Sequence, residues 1–260
     1  MDYKYLDYKA DGKVARLTLN RPEVYNALND QLTFELQDAL KQIQADDNCR
    51  VVVLTGAGNA FSSGQDLKGI SPEPGFSFKS AIERRYNPII RLMRGMPKPI
   101  ICRLNGVAAG AGCSLALACD IIVASDNAAI SQAFVNIGLV PDSGSAFFLP
   151  RLTGLAQAFE LATTGRKVTA AEALTLGLVN KVVPADKLDD AINEYVHHYS
   201  NAATKAVGLI KQMLYRSGTS SLEDMLTYEA YCQEIAGQTA DHAEGVKAFL
   251  EKRKPEFKGN

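Results

Sequence analysis

The sequence predicts an α/β protein whose core carries the functional site and whose C-terminal part is helical. Over residues 1–140, short runs of β-branched residues alternate with stretches of helical periodicity. From residue 186 onward, helical patterns continue almost to the end of the chain. Strand, helix and strand in succession favour βαβ-type crossovers. We therefore divide the chain into a core with the site, residues 1–195, and a helical region, residues 196–260.

Five apolar runs rich in β-branched residues predict the strands of the core. They are "VARLTLN" (14–20), "VVVLTG" (51–56), "PIICRL" (99–104), "DIIVAS" (120–125) and "GLVNKVV" (177–183). Asn29 is the predicted N-cap of the helix between the first two strands. One face of that helix carries Leu32, Leu36, Leu40 and Ile43. A glycine-rich turn and the helix-like "CSLALAC" (113–119) separate the third strand from the fourth.

Four helical patterns follow, over residues 186–199, 202–216, 220–236 and 239–253. At the start of the third, Ser220 and Glu223 have the spacing of a capping box. Earlier in the chain, Pro88 lies inside the helical sequence "AIERRYNPIIRLM". We expect Pro88 to end or kink that helix, because proline lacks a backbone N–H and clashes with the preceding turn.

Composition excludes several classes of protein. The chain has 260 residues, 47% of them hydrophobic, which is enough for one large domain. Its 28 basic and 29 acidic residues lack the basic excess of a general nucleic-acid binder. Its five cysteines are odd in number and show no C-x-x-C spacing, which favours reduced, buried thiols over disulfides or a metal site.

The sequence also indicates where the protein works. The N-terminus, "MDYKYLDYKADGK", is charged and has no apolar segment typical of a signal peptide. The longest uncharged stretch, residues 104–119, is too short to span a bilayer. We therefore expect a cytoplasmic protein that does not associate with membranes.

A lone carboxylate, Asp142, stands in the apolar segment "FVNIGLVPDSGSAFFLPR" (134–151). One interpretation is helix capping, since Asp accepts hydrogen bonds from the free N–H groups of a helix that it opens. The other is catalysis. Apolar neighbours are expected to desolvate the carboxyl group and raise its pKa, which makes it a stronger base. These neighbours are Phe134, Ile137, Phe147 and Phe148.

Two glycine-containing turns, "AFSSGQDL" (60–67) and "NGVAAGAGCSLALACDI" (105–121), each follow a strand-like run. Both can present backbone N–H groups, and two such groups on one oxygen form an oxyanion hole.

Two other motifs are weaker evidence for a function. "GCSLA" loosely matches a serine-hydrolase elbow, but His197, His198 and His242 all lie in the helical tail. Phe61 replaces the third glycine of a dinucleotide-binding motif.

Six segments, in order, resemble the enoyl-CoA hydratase/isomerase (crotonase) family over essentially the whole chain. They are "RPEVYNAL", "TGAGNAFSSGQDL", "KPIICRLNGVAAGAGCSLALACDI", "GLVPDSGS", "ALTLGLVNKVV" and "EGVKAFLEKRKPEF". The resemblance implies a crotonase (ClpP-like) spiral of ββα units with a C-terminal helical trimerisation region. It also implies an acyl-CoA thioester substrate and a homotrimer or dimer of trimers. No metal and no separate cofactor are implied, since CoA is part of the substrate.

Carried over residue by residue, the resemblance places the oxyanion hole on the backbone N–H groups of Gln65 and Ala111. The other implied contacts are to CoA and the acyl chain. The groove is formed by Asn26, Ala27 and Leu28 near the adenine and by Ser63, Asp66 and Leu67, with Lys68 toward phosphate. Phe249 is expected to cover the adenine and Lys252 to meet a phosphate, often from a neighbouring subunit.

The resemblance also predicts the type of reaction. Hydratases of the family use two glutamates, and these positions are Ser114 and Phe134 here. Asp142 matches the catalytic aspartate of dienoyl-CoA isomerases and of the phenylacetate-pathway ring isomerase. One carboxylate suits the transfer of one proton, so we expect an isomerase that works through a thioester enolate. Enoyl-CoA hydration by another group and an inert acyl-CoA or RNA-binding relative are the alternatives.

Within the family, four segments most resemble the 1,2-epoxyphenylacetyl-CoA isomerases, which also shift double bonds in enoyl-CoAs. These segments are "SGQDL", "RRYNPIIRLM", "GLVPDSG" and "EGVKAFLEKRKPEFKG". The isomerase pattern "PDxGGTWLLPR" reads "PDSGSAFFLPR" here. Ser145 thus replaces Gly and Phe147 replaces Trp, and we expect the acyl pocket to differ accordingly.

Overall fold

A computed structural model describes residues 2–69 and 76–260, which form ten strands and eleven α-helices. The strands are β1 (Leu6–Asp11), β2 (Val14–Leu19), β3 (Val51–Gly56), β4 (Ala60–Ser62), β5 (Ile100–Leu104), β6 (Val107–Ala109), β7 (Ile121–Ser125), β8 (Ala129–Ser131), β9 (Val168–Thr169) and β10 (Lys181–Val183). The helices of the core are α1 (Asp30–Ala45), α2 (Phe78–Arg85), α3 (Asn87–Gly95), α4 (Ala111–Leu117), α5 (Ser145–Thr153), α6 (Leu155–Thr164) and α7 (Ala170–Thr175). Four helices follow: α8 (Leu188–Ser200), α9 (Thr204–Ser217), α10 (Leu222–Gly237) and α11 (Ala240–Leu250).

The strands form two sheets. The larger has the order β1-β2-β3-β5-β7-β10 and is parallel except for the β1–β2 hairpin. The smaller has the order β4-β6-β8-β9, with only the last pair antiparallel.

A repeated unit connects the two sheets. β3, β5 and β7 lie side by side in the larger sheet, and each is followed by a three-residue strand in the smaller one. Helices then return the chain to the next strand of the larger sheet: α2 and α3 to β5, α4 alone to β7, and α5, α6 and α7 to β10. This confirms the predicted spiral of ββα units.

Helix α1 forms where its sequence predicts it. The Asn29 side chain accepts a hydrogen bond from the N–H of Leu32 at 2.9 Å, which satisfies one free donor of the first turn. The predicted apolar face, Leu32, Leu36, Leu40 and Ile43, is almost completely buried in the main core. Each such side chain contributes about 1.5–3 kcal/mol to folding when it leaves water.

Helix α8 covers the other face of the larger sheet. Leu188, Ile192 and Val196 pack in one cluster with Val51 and Val53 of β3 and with residues of β5 and β7. The helix therefore crosses the predicted boundary at 195/196, with its apolar face on the core sheet.

Helix α9 is tied to the core through a buried ion pair. The ammonium group of Lys211 lies 2.8 Å from a carboxylate oxygen of Asp120 and also donates to the backbone oxygens of Met93 and Lys98. The Tyr215 hydroxyl donates to the second oxygen of Asp120. Because every charged atom here has a hydrogen-bond partner, the pair can remain buried.

Two predicted boundaries were wrong. The run 177–183 forms a strand only over Lys181–Val183, because Gly177 adopts φ 75° and begins a turn. The capping box of α10 uses Ser221 and Asp224, one residue later than predicted. Ser220/Glu223 and Ser221/Asp224 have the same spacing. The helix that starts at Leu222 is the one that buries Met225 and Cys232.

Pro88 has the predicted effect. It lies in the first turn of α3, and Tyr86 is both the C-cap of α2 and the N-cap of α3. The predicted single helix is thus two short helices.

All five cysteines are free and buried, as their spacing predicted. No helix within the described residues is long and apolar enough to cross a membrane. In the same residues, no cluster of three His, Cys, Asp or Glu side chains is arranged to hold a metal ion.

Candidate active site

An apolar cavity of about 420 Å³ opens where the two glycine-containing turns meet the Asp142 segment. Gln65, Ala111 and Asp142 all line it, so the structure brings the three predicted catalytic positions together. The remaining described lining residues are mainly apolar. They come from the two turns, from α2 with the flanking Phe76 and Tyr86, and from the segment 133–141.

The backbone around Gln65 is held by Leu28. The N–H of Leu28 donates to the oxygen of Gly64 at 2.8 Å, and its oxygen accepts from the N–H of Asp66 at 3.0 Å. In such a bridge the residue opposite Leu28 directs its own N–H to the other side. The N–H of Gln65 therefore points away from Leu28.

Ala111 is the first residue of α4, so its N–H has no acceptor within the helix. The preceding Gly110 adopts φ 51° and ψ −126°, a conformation that only glycine reaches without strain. Its own N–H donates to the oxygen of Ser131 in β8 at 2.9 Å. The smaller sheet thus fixes the turn that presents Ala111.

The two turns are in direct contact. A methyl group on Gly64, whose φ is 87°, would lie 2.6 Å from the oxygen of Ala109 and 3.2 Å from the nitrogen of Ala111. A methyl group on Gly112 would lie 2.5 Å from the oxygen of Ser62. This close approach brings Gln65 and Ala111 onto adjoining parts of the cavity lining.

Asp142 is the single carboxylate among the described lining residues. It does not cap α5: the N-cap is Gly144, without a side-chain cap bond, and the Asp142 carboxylate accepts only from the Ser143 hydroxyl at 2.8 Å. Burial raises the pKa of Asp142, and the Ser143 hydrogen bond opposes this increase. The capping interpretation is therefore not supported by the structure, and the carboxylate is free to act in the cavity.

Only part of the predicted apolar surroundings of Asp142 is correct. Phe134 and Ile137 line the cavity with it. Phe147 and Phe148 instead line a second cavity of about 190 Å³, where Arg151 stacks 3.6 Å from the Phe147 ring centre. The Phe148 ring packs over Gly144, where an added methyl group would lie 2.7 Å from the ring.

The two positions that correspond to the hydratase glutamates have different environments. Ser114 is fully buried, and its hydroxyl lies 2.6 Å from that of Ser145 and donates to the backbone oxygen of Asp142 at 3.1 Å. Phe134 is one of the apolar lining residues. Ser145 and Phe147, the departures from the isomerase pattern, are absent from the described lining. Ser145 therefore supports the Asp142 backbone rather than shaping the acyl pocket directly.

The predicted groove residues 26–28 are buried. Asn26, which adopts φ 55°, is 0% exposed, and its amide nitrogen donates to the oxygens of Ala57 and Ala60. Ala27 and Leu28 are 6% and 1% exposed. The Asn26 side chain thus holds the turn between β3 and β4, and Leu28 holds the Gln65 turn through its backbone.

The predicted residues on either side of Gln65 lie at the rim of the cavity. Ser63 and Leu67 line the cavity, and Lys68 is exposed to solvent. The Asp66 carboxylate forms a 2.9 Å ion pair with Arg21 and accepts from the N–H of Lys68 at 3.2 Å. Asp66 therefore holds the turn together.

Phe249 and Lys252 lie at the end of α11 and do not line the cavity. Phe249 is 83% exposed, and Lys252 adopts φ 54°. Arg253, between Lys252 and Lys254, forms ion pairs with Glu244 and Glu251.

Sequence reasoning missed the cavity wall formed by α2 and its flanking residues, above all Tyr86. The Tyr86 hydroxyl donates to the side-chain oxygen of Gln65. The segment "RRYNP" was interpreted through Pro88 and through the family resemblance, and Tyr86 itself was given no role. A bulky aromatic residue at a predicted helix break was the available signal.

The sequence and the fold of this chain are similar to those of known proteins. A family model described as Enoyl-CoA hydratase/isomerase matches residues 9–260. The chain is 43% identical to 1,2-epoxyphenylacetyl-CoA isomerase of Escherichia coli, with 95% of each chain covered. It is 39% identical to a Rhodobacter capsulatus protein named "Probable enoyl-CoA hydratase", with both chains fully covered. The crystal structure of an enoyl-CoA hydratase from Bacillus anthracis is 34% identical, covers 99% of this chain and 100% of its own, and has a TM-score of 0.91.

Proposed function

The chain belongs to the enoyl-CoA hydratase/isomerase family, and we propose that it is an acyl-CoA isomerase that moves a proton through a thioester enolate. The observation that carries the proposal is that Asp142, the single carboxylate of the described cavity lining, shares this cavity with the two backbone turns of Gln65 and Ala111. The isomerase name of the Escherichia coli relative agrees with it.

In the proposed reaction, the Gln65 and Ala111 N–H groups donate to the thioester oxygen of the substrate. This polarises the carbonyl group and acidifies C2. The Asp142 carboxylate removes a proton from C2, and the C–H electron pair enters the enolate, whose charge rests on the thioester oxygen. Asp142 then returns the proton to C4, and the double bond moves from C3–C4 to C2–C3. No atom is gained or lost.

The magnitudes are consistent with such a site. A positioned general base contributes about 10²–10⁴-fold in rate. One oxyanion donor contributes about 2.7–4 kcal/mol of transition-state stabilisation. A carboxylate whose pKa is raised by burial binds a proton more strongly and is therefore a better base for C2.

Hydration of an enoyl-CoA requires groups that activate water and protonate carbon. Ser114 is buried and bonded to Ser145 and Asp142, and Phe134 has no ionisable group. Asp142 would have to perform both steps alone. Hydratase names among the relatives make hydration the second candidate.

We propose 1,2-epoxyphenylacetyl-CoA, 3-enoyl-CoAs, or both as substrates. The mainly apolar cavity suits an aromatic or aliphatic acyl group. Opening of a ring epoxide to an oxepin also conserves all atoms, as an isomerase requires. The nucleotide end of CoA would lie outside the cavity, near the rim formed by residues 63–68.

We also propose that the helical region 196–260 joins cytoplasmic subunits into a trimer or a dimer of trimers. The large apolar residues of this region that are at least half exposed are Ile210, Leu214, Leu222, Leu226, Tyr231, Phe249 and Leu250. Such a surface is typical of a subunit contact. Phe249 and Lys252 would then reach CoA bound to a neighbouring subunit.

The experiment that tests the proposed reaction compares two substrates with one protein preparation. Conversion of 3-hexenoyl-CoA to the 2-enoyl isomer should be at least ~10²-fold faster than hydration of crotonyl-CoA. Hydration would need a second positioned acid besides Asp142, and the cavity lacks one among its described residues. Comparable rates would overturn the isomerase proposal in favour of a hydratase. Binding of both thioesters without turnover of either would indicate an inert acyl-CoA binder.

A further inference from the structure

The side chain of Gln65 is fixed at both ends. Its oxygen accepts from the Tyr86 hydroxyl, and its amide nitrogen donates to the backbone oxygen of Asp66 at 3.2 Å. The backbone on either side of Gln65 is held by Leu28. Gln65, whose N–H points away from Leu28, is therefore held through its side chain as well as its backbone.

The backbone of Tyr86 is held by both α2 and α3. Its N–H donates to the oxygen of Ile82, and its own oxygen accepts from the N–H of Ile90, so it belongs to the ladders of both α2 and α3. The Gln37 side chain of α1 donates to the oxygens of Arg84 and Arg85 at 3.0 Å, and Arg85 pairs with Asp30 at 2.6 Å.

Tyr86 is 5% exposed, and its neighbours determine what its hydroxyl can do. Burial, and secondarily the negative charge of Asp142, raise the pKa of Tyr86 well above the ordinary value for tyrosine. The Tyr86 hydroxyl is therefore protonated and uncharged at neutral pH. It donates a hydrogen bond, which the Gln65 side-chain oxygen accepts.

We propose that Tyr86 is a positioning residue that acts through the Gln65 side chain to hold the backbone N–H of Gln65 on the thioester oxygen. The inference rests on the proposed function, because only the proposed reaction supplies an oxyanion for the Gln65 N–H to bind. It connects α1, the α2–α3 break and the Gln65 turn in one path of contacts.

The expected effect follows from geometry. Without the hydroxyl, the Gln65 oxygen loses its donor and the side chain can rotate. A misplacement of about 1 Å at a catalytic group can cost about 10²-fold in rate. Since the charge on the thioester oxygen develops in the enolate, the loss should fall mainly on kcat, with KM changed by less than ~3-fold.

The kinetic test uses Tyr86→Phe, which keeps the ring, and Gln65→Met, which keeps the length and the backbone N–H. Each should lower kcat for 3-hexenoyl-CoA by ~10–100-fold, and the double variant should lose no more than either single one. Multiplicative losses in the double variant would overturn the proposal. So would a shift of the pH–rate profile in Tyr86→Phe, since Tyr86 would then act on Asp142.

The matched control is Tyr215→Phe. It removes another hydroxyl that donates to a side-chain oxygen, here that of Asp120, away from the cavity. It should leave kcat within ~2-fold of the original protein. A loss equal to that of Tyr86→Phe would mean that any buried hydroxyl matters through general stability, and would overturn the positioning role.

A spectroscopic measurement separates this inference from the proposed function. The infrared carbonyl stretch of bound [1-¹³C]hexanoyl-CoA, which cannot isomerise, should shift to lower frequency in the original protein because two N–H groups polarise the carbonyl. Part of that shift should be lost in Tyr86→Phe and none in Tyr215→Phe. No shift in the original protein contradicts the oxyanion hole itself. An equal shift in Tyr86→Phe overturns the role of Tyr86 alone.

Discussion

Replacement of Asp142 by Asn should lower kcat for 3-enoyl-CoA isomerisation by ~10²–10⁴-fold, the usual contribution of a positioned general base. The amide keeps the size of the carboxyl group and can still accept from Ser143, but it cannot take a proton from C2. The Michaelis constant should change little, since the cavity keeps its shape. Steady-state kinetics on 3-hexenoyl-CoA measure both constants.

The stability of Asp142→Asn follows from the direction of the pKa shift. Because burial raises the folded-state pKa of Asp142, the folded protein binds more protons than the unfolded chain between the two pKa values. The free energy of unfolding therefore falls as pH rises through this window, and the ionised carboxylate is a cost at neutral pH. The Asn variant should be as stable as the original protein at neutral pH or slightly more so, with its relative advantage lost in acid.

Two outcomes would contradict this account of Asp142. An Asn variant that keeps its turnover would remove the carboxylate from the reaction. A variant that loses turnover together with its thermal transition would make the carboxylate structural. Melting curves at neutral and acidic pH, recorded with the kinetics, distinguish these cases.

Gly64→Ala should be the most damaging substitution outside Asp142, with a loss of ~10²–10³-fold in kcat. The new methyl group would lie 2.6 Å from the oxygen of Ala109, closer than unstrained contact allows. The two turns must then separate, which displaces the Gln65 and Ala111 N–H groups from a shared oxygen. A loss of this size is typical when one oxyanion donor is removed.

Gly12→Ala is the matched control for Gly64→Ala. Gly12 also has positive φ, at 54°, but a methyl group there meets no atom within 4 Å. Both substitutions carry the backbone cost of about 1–2 kcal/mol for a non-glycine residue in that region. Only Gly64→Ala should lose activity, and equal kinetic losses in both variants would contradict the proposed contact between the turns.

The alternation of strands and helices, the Asn29 cap and the break at Pro88 could be predicted because each depends on residues close in sequence. The smaller sheet could not be derived from periodicity, since β4, β6 and β8 have only three residues each. Its presence followed from family resemblance. The one-residue error at Ser220 arose because two overlapping pairs have identical spacing, and tertiary burial of Met225 decides between them.

The candidate site also contains some residues that the local sequence indicates and others that it does not. Asp142 could be identified from the sequence because a single carboxylate in an apolar segment indicates a structural or catalytic role. Gln65 and Ala111 were predicted as donors only by resemblance, since a backbone N–H does not depend on the type of side chain. The bond between Tyr86 and Gln65 joins residues 21 positions apart through a helix break, and no local pattern encodes it.

Transfer of a labelled hydrogen tests the central claim, that Asp142 carries one proton from C2 to C4, most directly. 3-Hexenoyl-CoA with deuterium at C2 is converted in ordinary water, and the product is examined for deuterium at C4 by NMR and mass spectrometry. Because one half-buried carboxylate both removes and returns the hydrogen, a measurable fraction of the product should carry deuterium at C4. Full conversion to a product without deuterium at C4 would contradict transfer by a single base.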